Sequence, residues 1–378
     1  MKEFKRMKAA VIGCGMISEI YLKNLLSFDA IDLVGCSDLD PEKSAHRAEQ
    51  FGIRQMTNEE IFSDPGIGLV VNLTWPLAHY EVSRAALLAG KHVYCEKMQT
   101  ETVAEGKELL SLAKEKNLFL GGAPDTFLAG GMQTARAILD SGMIGRPTSV
   151  SAYMSRDYHQ ERTYQIPRRF SFLRHGGIIY DMGCYYLTAM IFLLGSVDTV
   201  CGFSETVDAH RVYAKPGEFY GQPFEIESPN CTVGSLRFSS GVLGSVTMTS
   251  AGGGEGNHFV VNCTDGYLDL GDPNLYNASV TLHTKTGEVS RIPSVFGFSD
   301  SEKRSNFRGI GALDAVYALK NGRTPRCPGE LGLHVLDIAR GITESAASGG
   351  FYKTQTTVTR PAPLLPGYTE YPEMVFDI

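Results

Sequence analysis

A chain of 378 residues is longer than one hydrophobic core usually sustains, so two domains are expected. The 43% hydrophobic and 20% charged content is that of a globular protein, and the net charge of -7, with no dense basic run beyond residues 2–8, argues against a nucleic-acid partner. No segment approaches the roughly 20 apolar residues of a membrane span, and the eight cysteines form no C-x-x-C and have no His at metal spacing. The basic start is not followed by an apolar stretch of export length. A cytoplasmic enzyme with buried thiols and no metal site is the expectation.

The stretch KAAVIGCGMIS (residues 8–18) reads as a buried strand over 9–12, a glycine turn at Gly13-Cys14-Gly15, and a helix start carrying Ile17, Ile20 and Tyr21 on one face. Gly13 lets the chain turn with φ unrestricted. Gly15 leaves a pyrophosphate free to approach the backbone N–H groups at the helix start, Met16 and Ile17, and the positive end of its dipole. Ser18 holds the third position of the G-x-G-x-x-G fingerprint, where a small residue is needed for close helix–strand packing. A second strand over 31–36 leads to Asp38, 20 residues beyond Ser18, where a carboxylate accepts both ribose hydroxyls of a dinucleotide. A 2′-phosphate would meet like charge there, which favours NAD over NADP; Lys43 and Arg47 lie close enough in sequence to soften that repulsion.

Further on, a helix over 41–50 has Pro at its start and Gly52 at its end, and a short helix over 58–62 follows. Then come a strand over 69–73, a helix over 78–88, a strand over 92–95, a helix over 103–116 and a strand over 118–120. This alternation implies a parallel, doubly wound α/β sheet ending near Gly121-Gly122, hence a dinucleotide-binding domain over 1–122. In the remainder, 123–378, a helix over 133–139 precedes strands over 147–154, 197–205, 231–238, 244–250, 259–263 and 280–284, with helices over 181–194, 311–320 and 330–347. Consecutive strands joined by Gly- and Asn-containing turns suggest an α+β domain with an antiparallel sheet.

The turns after the third and fourth parallel strands, Asn72 to Pro76 and Glu96-Lys97-Met98, fall at carboxyl ends, where ligands of open α/β sheets bind. A loop lysine is usually a solvated charge; Lys97 differs because it follows an apolar strand and faces the expected nicotinamide crevice. Asp181 and Tyr185 are four apart and share a helix face. They read either as site residues or as a dipole-favouring acid and a core tyrosine. Gly183 between them would let a backbone or ligand come close.

The G-x-G-x-x-S turn, Asn72-x-Thr74 with His79, the Tyr94-Cys95-Glu96-Lys97 strand end and GG-x-x-x-Asp181-x-Gly183-x-Tyr185 together resemble the Gfo/Idh/MocA oxidoreductases, which include glucose-fructose oxidoreductase, inositol dehydrogenase and related sugar dehydrogenases. The resemblance spans nearly the whole chain, including residues 308–323. It implies an N-terminal Rossmann domain binding NAD through Gly13, Gly15, Met16, Ile17, Asp38, Thr74, His79, Glu96 and Lys97. The second domain it implies carries an open, mainly antiparallel sheet that commonly forms homo-oligomer contacts. By this analogy Lys97, Asp181 and Tyr185 are catalytic. Hydride passes between a secondary hydroxyl carbon of a sugar, glycoside or cyclitol and nicotinamide, with Tyr185 or Lys97 as general base and Asp181 orienting them. Met98 replaces the family's usual proline and Tyr185 a frequent histidine. Asp125, Arg156, Tyr158, His159, Arg168, Arg169 and His175 are polar enough to line a sugar pocket. Two other readings are an NAD-using glycoside hydrolase or lyase working by transient C3 oxidation, and a dinucleotide-sensing regulator; retention of Lys97, Asp181 and Tyr185 argues against the second.

Overall fold

The computed structural model describes residues 6–156, 176–213, 216–252, 254, 256–294 and 306–364. Six segments, all but the polar β3 largely apolar, form the first sheet: β1 (Met7–Ile12), β2 (Ile31–Ser37), β3 (Arg54–Gln55), β4 (Leu69–Asn72), β5 (His92–Cys95) and β6 (Leu120–Gly122), all parallel, in the order β3-β2-β1-β4-β5-β6. The order reverses between β1 and β4, which places a crevice at their carboxyl ends. Helices α1 (Ser18–Leu26), α2 (Pro41–Phe51), α3 (Asn58–Ser63), α4 (His79–Leu88) and α5 (Val103–Glu115) alternate with these strands. Ile12, Val70 and Val93 of the sheet pack with Ile61, Leu87 and Leu109 of the helices, all at most 1% exposed. Capping fixes where the helices begin. Asp40 accepts from the Glu42 N–H ahead of Pro41, and Thr57/Glu60 and Thr102/Glu105 form reciprocal capping boxes. Two-residue β3 lies below what sequence periodicity registers.

After α6 (Gly130–Ser141) come β7 (Pro147–Ser155), α7 (Cys184–Leu194), β8 (Val197–Glu205), β9 (His210–Val212), β10 (Pro223–Glu225), β11 (Cys231–Phe238), β12 (Leu243–Thr249), β13 (Gly256–Cys263), β14 (Gly266–Leu270), β15 (Val280–Thr284) and β16 (Val289–Arg291). Helices α8 (Ile310–Asn321) and α9 (Gly329–Ser348) and the short β17 (Tyr352–Lys353) complete the described chain. The second sheet runs β16-β15-β14-β13-β7-β12-β11-β8-β17, antiparallel except for the parallel pair β7–β12, and β9 and β10 form a separate hairpin. It is thus mixed and mostly antiparallel. One face is covered: all of α7 is buried, and Ile342 of α9 lies where a Cβ on Gly202 or Gly234 would be 2.8 Å away, so glycine on β8 and β11 admits the helix. Among the described residues the other face is exposed along β11, whose alternation leaves Val233, Ser235 and Arg237 exposed and Thr232, Gly234, Leu236 and Phe238 buried.

Two units result, one from the described residues of Met1–Gln133, Ser294–Leu333 and Pro361–Ile378, the other from those of Thr134–Pro293 and His334–Arg360. This differs from an uninterrupted second domain beginning at residue 123, because later segments return to the first sheet. Gly122 N–H donates to Cys327 O at 3.2 Å, and Gly121 bridges to Pro328. Cys14, Cys36, Cys95, Cys184 and Cys327 are buried as expected, but Cys201, Cys231 and Cys263 are half-buried, since the second sheet has an exposed face. Among the described residues no helix is long and apolar enough to cross a membrane.

In the second unit the fully buried His334 fixes its own tautomer. The Val197 N–H donates to Nε2 at 3.0 Å, so Nε2 is the acceptor and Nδ1 carries the proton shared with Thr356 Oγ1 at 2.9 Å. Thr356 Oγ1 in turn donates to Asp337 Oδ2 at 2.7 Å. Burial, opposed by the Asp337 charge, pushes the imidazole down from 6.5 to about 4. The folded pKa lies below the unfolded one, so the neutral ring contributes its full stability above the unfolded value and loses it as pH falls toward the folded value. The upper bound is about 3 kcal/mol. We expect the thermal midpoint of His334→Gln to be lower than wild type near neutrality and to fall less between about pH 7 and pH 4; parallel pH profiles for the two proteins would refute this.

Candidate functional site

Carboxyl ends of β1, β2, β4 and β5 lie side by side, with Ile12 paired to Ser37 and Asn72, and Asn72 paired to Cys95. Gly13 follows β1 with φ +104°, and its N–H donates to Ser37 O at 2.8 Å. A Cβ on Gly13 would lie 2.5 Å from the carbonyl carbon and oxygen of Leu73, so the turn presses against the backbone after β4 and admits no side chain. Over Gly15 the space is open, with nothing within 4 Å of an added Cβ. Met16 and Ile17 are 62% and 36% exposed, and no side chain caps the α1 N-terminus that they lead into. Ser18 is fully buried, and its hydroxyl donates to Gly15 O at 2.6 Å, which the smallness required at this position allows.

Asp38 lies half-buried at the end of β2, its carboxylate oriented by the Cys14 N–H at 2.6 Å and the Asp40 N–H at 2.9 Å. The nearby cations are engaged with acids. Lys43 pairs with Asp40 at 3.4 Å, and Arg47 with Glu19 at 3.0 Å. An open glycine turn at a helix start and a carboxylate held by two backbone donors fit the pyrophosphate and ribose of a dinucleotide.

The loop after β4 is held from below. Asn72 Oδ1 accepts from Thr74 Oγ1 at 2.7 Å, and its Nδ2 donates to Ser83 Oγ and His79 O. His79, 1% exposed, puts Nδ1 2.7 Å from Met98 O and Nε2 2.9 Å from Thr74 O, tying the turn after β4 to the turn after β5. Both partners are carbonyls, which only accept, and burial lowers the ring's pKa. While the ring is neutral, one of the two contacts is therefore a hydrogen bond and the other is not. Lys97 is half-buried at the end of β5, and the Lys97–Met98 peptide bond is cis. Glu96, 8% exposed, accepts from Tyr21 OH at 2.6 Å and from Lys97 N–H at 2.9 Å. Its carboxyl group thus holds protein, and Tyr21, read from the sequence only as part of an apolar helix face, is a site residue that reading missed. A lone tyrosine in such a stripe carries no signal of a partner 75 residues away.

Asp125 is corrected from a sugar-pocket residue. It is 1% exposed, and Oδ2 accepts from Tyr94 OH at 2.8 Å and from the Gly309 and Gly311 N–H groups at 3.0 Å, so its carboxylate anchors the start of α8. Burial, and then the Asp125 charge, pushes the Tyr94 phenol well up.

In the second unit Asp181 sits in one turn of π-helix, Ile179–Gly183, that runs directly into α7, and Tyr185 follows one turn later, 6% exposed. Such turns recur at functional sites. Gly183 accommodates side chains, where a backbone or ligand was expected: its Cβ would lie 2.7 Å from Ile179 Cδ1 and 3.4 Å from Met248 Cγ. Tyr180 packs toward α9, with its hydroxyl 3.1 Å from Thr343 Oγ1. Tyr186 is fully buried edge-on to Phe259, ring centroids 5.9 Å apart, and burial pushes its phenol up. Arg156 is half-buried just past β7. Tyr158, His159, Arg168, Arg169 and His175 lie outside the described residues. No cluster of three or more potential metal ligands occurs among the described residues.

Two family models match the chain: an oxidoreductase family NAD-binding Rossmann fold over residues 7–121, and a GFO/IDH/MocA C-terminal domain over residues 132–269. The chain belongs to the GFO/IDH/MocA oxidoreductase family, and residues 7–121 are its NAD-binding Rossmann domain. An oxidoreductase of Schizosaccharomyces pombe is 31% identical over 201 residues, covering 51% of this chain and 53% of its own length. Levoglucosan dehydrogenase of Pseudarthrobacter phenanthrenivorans is 26% identical over 247 residues, covering 61% and 63%. The chain thus spans 53% to 63% of the length of these curated relatives. The structure of levoglucosan dehydrogenase in complex with NADH shares the fold, with a TM-score of 0.81 at 20% identity over 93% of this chain and all of that one.

Cofactor preference follows from Asp38. We expect NAD to bind at least about tenfold more tightly than NADP, the cost of one phosphate dianion against an oriented carboxylate. Fluorescence titration of the two reduced cofactors checks it, and a tighter NADPH constant would overturn the assignment.

Proposed function

We propose that this chain is an NAD-dependent oxidoreductase acting on a secondary hydroxyl of a small carbohydrate, glycoside or cyclitol. The observation that carries this reading is the alignment of the Asp38 carboxylate, the open turn over Gly15 and the Glu96-Lys97 strand end along one sheet edge. The relatedness to levoglucosan dehydrogenase supports the substrate class. Gly13, Gly15, Met16 and Ile17 receive the pyrophosphate, and Asp38 takes the adenosine ribose. Thr74 and His79 shape the loop beside it. Bound NAD supplies the hydride acceptor. Lys97 stabilises charge on the substrate oxygen, Tyr185 or Lys97 takes the hydroxyl proton, and Asp181 orients them.

A panel of sugars, glycosides and cyclitols assayed for NADH formation tests the reading; release of a leaving group without NADH would replace it with the transient-oxidation hydrolase. On the best substrate, Lys97→Ala should abolish turnover with cofactor affinity largely kept, a loss of several kcal/mol in transition-state stabilisation. Tyr185→Phe should lower kcat by at least about tenfold. Tyr186→Phe, about 100° away on the helix and packed on Phe259, should change it far less. The reverse order for the two tyrosines would reject Tyr185.

The exposed sheet face supports a homo-oligomer. Phe203, Val233, Thr247 and Tyr153 stand side by side across β8, β11, β12 and β7, and Phe203 is 78% exposed. Sedimentation should give a multiple of the chain mass that falls in Phe203→Asp/Val233→Asp; a monomeric wild type would reject the proposal.

A further inference from the structure

We infer that Tyr21 is a positioning residue for Lys97, acting through Glu96; the inference rests on the proposed role of Lys97. Tyr21 lies on α1, the helix that begins at the cofactor turn, and is fully buried. Its hydroxyl donates to Glu96 Oε1 at 2.6 Å, while Glu96 Oε2 accepts from the backbone N–H of Lys97 at 2.9 Å. One carboxyl group therefore clamps two objects, the cofactor helix by one oxygen and the main chain of the reacting lysine by the other. The Glu96 N–H also donates to Asn72 O at 2.9 Å, so the clamp is referenced to the end of β4 as well.

The tyrosine is itself held. Its ring lies 6.5 Å from that of Tyr94, and a Cβ on Gly309 would come within 3.4 Å of its Cδ1. Tyr94 in turn is fixed by its hydroxyl on Asp125. The phenol oxygen thus has little freedom to seek another partner, and a carboxyl group only 8% exposed cannot replace it with bulk water. Removing the hydroxyl leaves one Glu96 oxygen without its protein donor and lets the group rotate, which moves the Lys97 backbone. Small displacements of a reacting group carry large rate penalties.

Tyr21→Phe and Glu96→Gln keep ring and side-chain shape, and they are measured singly and together beside Lys97→Ala. Each single variant should lower kcat at least about tenfold with the NADH dissociation constant nearly unchanged, and the double variant should be no worse than the weaker single, because both break one unit. In a sample labelled with 15N-lysine and assigned with Lys97→Arg, the Lys97 amide resonance should move in Tyr21→Phe and stay in Tyr186→Phe. A wild-type kcat in Tyr21→Phe, multiplicative losses in the double variant, or an unmoved Lys97 amide would each overturn the inference. If Lys97→Ala turns over like wild type, the reading of Lys97 fails instead. A merely structural tyrosine would lower the thermal midpoint and leave kcat and the amide where they are.

Discussion

Contact between the Gly13 turn and the main chain of Leu73 is the constraint from which the first unit follows. β1 and β4 are adjacent because the chain winds outward to β3 and then returns to the other side of β1, and backbone meets backbone at the reversal without room for a side chain. Gly13 supplies that room and the positive φ together. The crevice so opened is flanked by the N-terminus of α1 and by Asp38 at the end of β2. Both are held in place by the buried apolar strands they follow.

Buried polar groups do the rest of the joining, each tying together segments distant in sequence. Glu96 links α1 to the end of β5, and Asp125 links the region after β6 to the start of α8. Asp314 in α8 is fully buried, with Arg323 at 2.6 Å and Arg326 at 2.8 Å, and the Arg326 N–H donates to its second oxygen. Glu96 and Asp314 have both carboxylate oxygens engaged, and Asp125 gathers three donors on Oδ2, the condition under which burial of charge is tolerated. At Asp314, breaking the buried ion pairing would leave an uncompensated charge and cost about 3–5 kcal/mol.

Much of this was legible in the residues. Four of the six strands of the first sheet, β1, β2, β4 and β5, were read near their observed bounds as short apolar runs, whereas the strand expected over 118–120 is β6, Leu120–Gly122, which overlaps it only at Leu120. The second sheet was harder. β7, β8, β11 and β15 stand out by alternation, whereas β16, β17 and the β9–β10 hairpin are too short or too exposed to differ from loops, and five-residue β14 was passed over. The parallel pairing of β7 with β12 has no local mark at all, since register and direction are set by which neighbours a strand finds. Asp125 was misread for the same reason: a buried anchor and a pocket acid look alike until the N–H groups of Gly309 and Gly311, 184 and 186 residues on, are in place.

By itself the sequence determined the longer elements and the glycine turn after β1, because periodicity, capping residues and glycine at a tight turn act over a few neighbours. It also placed Asp38, whose position is set by the length of one β-α-β unit. Only the tertiary structure decided that two N–H groups orient that carboxylate, that Tyr21 and Lys97 share Glu96, that His79 joins two loops, and that the region around α8 belongs to the first unit. Hydrogen bonds between residues far apart in the chain require both partners to be carried to within about 3 Å of each other, and packing of the whole, not local preference, does the carrying.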